Sequence, residues 1–116
     1  MCSGKVYYDL FDAREKAGRD DIYLLRVEQL YPYPRSAMRE ELKRFNQAEM
    51  VWCQEEPKNM GAWAFINPLI EESLIELGAK FTRPRYVGRK ASASTATGIS
   101  SKHKAEQQAI MVDALS

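Results

Sequence analysis

Histidine and cysteine are scarce in this chain, and it has no apolar run long enough to cross a bilayer. Of 116 residues, one is histidine and two are cysteine. A lone His103 cannot supply the several ligands of a zinc site, and it falls in the first turn of a helical stretch, where the dipole disfavours an imidazolium. It reads as a solvated helix residue. Cys2 and Cys53 lie in strand-like apolar sequence without metal-ligand spacing, and neither has a histidine close in sequence to activate a thiolate. They read as reduced packing residues of an intracellular protein rather than as a disulfide framework. No window approaches the ~20 apolar residues of a membrane span, and the first residues lack the charged and apolar regions of a signal peptide. Neither charge dominates: 17 Lys and Arg stand against 16 Asp and Glu, a formal net charge of +1. That balance gives no reason to expect a nucleic acid or an anionic membrane as partner.

The chain does have an alternation of helical and strand periods, the pattern of an α/β layer architecture in one domain, residues 1–116. Val6, Leu10, Ala13 and Ala17 predict a helix from about Val6 to Ala17, stopped by Gly18 in the left-handed region. Residues Ile22 to Val27 read as a short strand buried on both faces. Pro32 and Pro34 break regular structure, and Met38, Leu42 and Phe45 mark a second helix behind Ser36. Met50 to Cys53 gives the next strand, with Pro57 and Gly61 in the loop after it. A third helix lies within Trp63 to Leu77. Pro68 sits inside it, so the helix is predicted to begin there with Asn67 as N-cap. Arg85 to Gly88 is a brief strand, and Ala91 to Gly98 a small-residue loop. A last helix from about Ser101 to Leu115 is predicted to bury Ala105, Ala109 and Val112 together with the flanking Ile110, Met111 and Leu115.

Several groups are candidates for chemistry. Ser3-Gly4-Lys5 is a weak echo of a phosphate loop, with no upstream glycine and with Val6 where a magnesium-binding hydroxyl is needed, so it reads as a plain turn. Glu55 and Glu56 stand at the carboxyl end of a buried strand, where open α/β sheets place their functional loops, and strand geometry sends them to opposite faces. They read as interface or capping groups, with Trp63 as a buried interface anchor. Arg85 and Arg89, in the one local basic cluster with Arg83 and Lys90, form a possible anion site beside the N–H groups of the last helix at Ser101 and Lys102.

Three stretches together carry a resemblance. With Cys2-Ser3-Gly4-Lys5-Val6-Tyr7-Tyr8-Asp9-Leu10, Val51-Trp52-Cys53-Gln54-Glu55-Glu56-Pro57-Lys58-Asn59-Met60-Gly61-Ala62-Trp63 and Gly88-Arg89-Lys90-Ala91-Ser92-Ala93-Ser94, the chain resembles the C-terminal domain of the thiamine-dependent decarboxylating component of the 2-oxoglutarate dehydrogenase complex. The resemblance extends from Cys2 to Leu115. It implies a three-layer α/β/α, transketolase C-terminal-domain-like unit with a mixed, mostly parallel sheet, in which the strand ending at Cys2-Ser3-Gly4-Lys5 is central and here truncated. A truncated central strand leaves neighbouring backbone groups unpaired, at ~1–3 kcal/mol for each buried orphan.

The resemblance also implies that the intact protein decarboxylates 2-oxoglutarate on thiamine diphosphate with magnesium, then succinylates a lipoyl group of the succinyltransferase component. The catalytic and cofactor residues come from preceding domains, so none is expected in this chain and no cofactor is expected on it. The implied job is to cover the cofactor domains and contribute to a homodimer, in the cytoplasm or, in a eukaryote, the mitochondrial matrix. Some branches of the family bind a regulatory acyl-CoA partly at positions matching Gln29 and Arg35, although the next basic position of that pattern is Ser36. The alternative reading is therefore a stand-alone regulatory module for an acyl-CoA or nucleotide.

Overall fold

The computed structural model describes residues 1–93 and 100–116. Six elements follow in order: α1 (Val6–Ala17), α2 (Arg35–Lys43), β1 (Val51–Pro57), α3 (Trp63–Glu76), β2 (Arg85–Arg89) and α4 (Ser100–Ala114). β1 and β2 pair in parallel, Val51 opposite Arg85 and Cys53 opposite Val87. Cys2 extends the arrangement on the other side of β1 by single parallel bridges to Cys53 and Arg26. The segment carrying Cys2 therefore runs between residues 24–27 and β1, as the resemblance implied, and all these pairings are parallel.

The strand period assigns the layers. Met50 and Trp52 point to one face, where they meet Met38 and Leu42 of α2 and Ile66, Ile70 and Leu74 of α3. Cys53 and Val87 point to the other, with Val6 and Leu10 of α1 and Ile110 and Met111 of α4. Two apolar cores separated by a sheet make a three-layer α/β/α sandwich.

α1 occupies the predicted residues and ends at Gly18, whose φ of 65° closes the helix with its N–H bonded to Glu15. Residues 22–27 do not form the predicted strand. Their described pairing is Cys2 N–H to the Leu25 carbonyl and Val27 N–H to the Cys2 carbonyl. α2 starts at Arg35, one residue before Ser36, and Phe45 lies past its end. β1 runs further than Cys53, to Pro57. α3 does not start at Pro68 but carries it in its interior, and Asn67 is a helical residue whose Nδ2 donates to the Trp63 carbonyl at 2.8 Å. α4 begins at Ser100, and of its predicted buried side Ile110 and Met111 are buried whereas Ala105, Ala109 and Val112 are exposed. In the small-residue loop, Ser94 to Gly98 lie outside the described residues.

Candidate functional site

Past Cys53, β1 exchanges apolar side chains for polar ones, and its two faces are solved differently. On the α3 face Gln54 is buried and uses its whole amide. Its Oε1 accepts from Trp52 Nε1 and from the Trp63 backbone N–H, both at 3.0 Å. Its Nε2 donates to the carbonyls of Glu56, Pro57 and Met60 at 3.1, 3.0 and 2.8 Å. Trp63 opens α3, and Ala62 offers no capping side chain, so Gln54 caps this helix from the sheet. The Trp63 ring then packs on Tyr86 of β2 at 5.3 Å between centroids. Tyr86 donates its hydroxyl to the Arg89 carbonyl at 2.6 Å and contacts that of Glu56 at 3.2 Å, while burial raises its pKa above the usual phenol value.

On the α4 face Glu55 joins a charged network. Its Oε1 accepts from Lys5 Nζ at 2.8 Å and from Gln107 Nε2 at 3.0 Å, and Gln107 also reaches Asp9 at 3.3 Å. The bond to Glu55 raises the pKa of Lys5 and holds it as an ammonium. Arg89 is the centre of the cluster, with its side chain only 11% exposed. Its Nε meets Glu106 at 2.8 Å, its Nη1 donates to the Glu55 carbonyl, and its Nη2 contacts Gln107 at 3.3 Å and His103 Nδ1 at 3.4 Å. Arg85, four residues before it on the same face of β2, is held by Glu49 and Asp113, both at 3.0 Å.

Glu55 and Arg89 are thus brought into one cluster, whereas Arg85 belongs to a separate pair of carboxylates at the other end of β2. Both guanidiniums expected at an anion site are occupied by carboxylates of the chain itself. Gln29 is exposed, and Arg35 binds Glu72 at 3.1 Å with Glu76 at 4.0 Å. Glu56 faces away from Glu55, into a cleft of about 610 Å³ at the sheet's carboxyl edge lined in part by Tyr31, Gln54, Gly61 and Phe65.

Of the residues that organise this edge, Gln54, Tyr86 and Gln107 were not among the sequence candidates, and Lys5 was a candidate only as part of a phosphate-loop echo. Gln54 left a trace as the polar residue one strand period after Trp52, on the face that buries it. Gln107 left one too, at helical spacing before Ile110, Met111 and Ala114. The cysteines are packing groups, both buried, and burial pushes the Cys53 thiol up to about 12.

Three layers, parallel strands and polar groups gathered at their carboxyl ends define an α/β domain whose edge is fixed by internal pairing. A sequence model of the family described as 2-oxoglutarate dehydrogenase C-terminal matches residues 1–115, and the chain belongs to that family. The 2-oxoglutarate dehydrogenase E1 components of Brucella anthropi, Brucella ovis and Brucella melitensis are each 64% identical to it over 115 residues. Those residues are 99% of this chain and 12% of each relative, so the chain spans about an eighth of their length.

Proposed function

We propose that this chain serves as the structural C-terminal domain of a thiamine-diphosphate-dependent enzyme that decarboxylates 2-oxoglutarate and succinylates the lipoyl group of its succinyltransferase component. The observation that carries the reading is the 64% identity to E1 components sustained along 99% of the chain. In this role the domain covers and orients the cofactor domains and contributes to a homodimer in the cytoplasm, with Glu55, Glu56 and Trp63 near the contact.

The charged edge supports a positioning role. Glu55 and Arg89 spend their hydrogen-bonding capacity on each other's surroundings, and Cys53 is held as a buried thiol. Among the described residues there is no group of three His, Cys, Asp or Glu side chains placed to hold a cation. In this reading thiamine diphosphate and magnesium are held by the parts of the longer protein outside this chain. An acyl-CoA phosphate at Arg35 would have to displace Glu72 and Glu76.

Calorimetric titration of the 116-residue chain with thiamine diphosphate and magnesium, acetyl-CoA and AMP tests this, beside turnover of 2-oxoglutarate by the full-length protein. The expected result is no saturable heat from the chain and turnover only by the full-length protein. Saturable binding of acetyl-CoA or AMP would establish the regulatory module instead, and turnover by the chain alone would overturn the reading.

A further inference from the structure

Glu55 and Glu56 are adjacent, but only Glu55 is paired within the chain, and Glu56 is exposed to solvent. Glu55 accepts from Lys5 and Gln107, whereas the Glu56 carboxylate has no hydrogen-bond or ion-pair partner among the described residues. Glu56 lines the cleft of about 610 Å³ together with Tyr31, Phe65, Gln54, Ser3 and Gly4. Tyr31 and Phe65 stand edge to face across 6.2 Å. They are 84% and 42% exposed, a large aromatic surface to leave in water. Gln54, at the floor, has already committed its amide donors and its oxygen, and the Gly4 N–H is bonded to Glu28.

The free recognition groups of the cleft therefore include one carboxylate, two aromatic rings and the Ser3 hydroxyl, which can donate or accept. This combination repels anions. It suits a delocalised planar cation that stacks on a ring while presenting N–H groups to a carboxylate, which is the chemistry of a guanidinium more than of a compact, strongly hydrated ammonium. Exposed aromatic rings around a charged group are also the composition of protein interfaces.

We propose that this cleft is an arginine socket: Glu56, Tyr31 and Phe65 receive an arginine side chain from the part of the longer protein outside these 116 residues. The source is chosen because this chain makes up only 12% of its relatives' length, so most of the surface it would meet lies in the remainder. The proposal rests on the assembly-domain reading and adds the chemistry of the contact.

The test has two arms. In the first, N-acetylarginine N-methylamide is titrated into the 116-residue chain against the isosteric citrulline compound, with NMR following the ring protons of Tyr31 and Phe65. Saturable shifts are expected with the arginine compound only. They should be lost in Glu56→Gln, weakened at least about fivefold in Tyr31→Ala through loss of the stacking face, and kept in Glu28→Gln. Equal response to citrulline, or full binding by Glu56→Gln, would overturn the socket. In the second arm, hydroxyl-radical footprinting compares Tyr31 and Phe65 in the full-length protein and in the isolated chain. Strong protection in the full-length protein that Glu56→Arg removes is expected. Rings equally modified in both, or protection that survives Glu56→Arg, would overturn the proposal even where the full-length protein is assembled and active, leaving the domain reading standing. Failure of the domain reading shows separately, as ligand binding or turnover by the chain alone.

Discussion

Tyr86 folds its phenol ring over Gly88, and its hydroxyl fills the place where a Cβ of residue 88 would stand. The same hypothetical Cβ would lie 2.7 Å from the Gln54 backbone oxygen, which cannot move without disturbing β1. Gly88→Ala should therefore destabilise the fold by about 2–3 kcal/mol, read as a lower urea midpoint, although φ at this position needs no glycine. Gly88→Ala combined with Tyr86→Phe should recover only part of that loss, since the carbonyl contact remains.

Gln54 makes five hydrogen bonds from a buried amide. In Gln54→Leu the Trp52 indole, the first N–H of α3 and three carbonyls lose their partner at once. A loss of about 3 kcal/mol is expected by chemical denaturation, since buried groups left unmade cost more than bonds gained contribute. Gln54→Glu should be no rescue, because it aims carboxylate oxygen at carbonyls.

Arg89 holds Glu106, Gln107 and the Glu55 carbonyl together. Arg89→Met removes the ion pair with Glu106 and the bonds to Gln107 and the Glu55 carbonyl in a half-buried setting, and should cost about 2–3 kcal/mol in thermal or urea unfolding. Arg89→Lys should restore less than half of that, because an ammonium cannot address several acceptors lying in one plane.

Cys53 predicts an alkaline limit. Its thiol pKa is raised by burial from the ordinary value of 9.0 to about 12. In the unfolded chain the thiol ionises first, so the folded state keeps its full stability below pH 9 and loses it as the pH rises from 9 towards 12. Unfolding free energy should fall there by up to about 1.4 kcal/mol for each pH unit. In Cys53→Ala that slope should flatten by a similar amount, and the native thiol should react slowly with disulfide reagents at neutral pH.

Much of this was legible in the sequence where one local rule dominates. The spacing from Val6 to Ala17 and Gly18 set α1 correctly, and strand geometry placed Glu55 and Glu56 on opposite faces. The reading failed where distant partners decide. Pro68 is carried inside α3 because Gln54, nine residues before Trp63, supplies the cap that lets the helix begin earlier. In α4 apolar character suggested Ala105, Ala109 and Val112 with Ile110, Met111 and Leu115 as the buried side; Ile110 and Met111 are buried, yet Val112 is 61% exposed. The inward side also includes Glu106 and Gln107, which Arg89 on β2 meets at 2.8 and 3.3 Å. Residues 22–27 have strand composition, but a strand needs a neighbour along its length, and Cys2 offers one residue of pairing.

β2 has its only described ladder partner on the β1 side, so its outer backbone edge is the kind of surface on which chains pair into aggregates. Three traits work against that: the strand is five residues long, Pro84 stands immediately before it, and an arginine sits at each end. The arginines that pin α4 thereby also guard the sheet against growing by another strand.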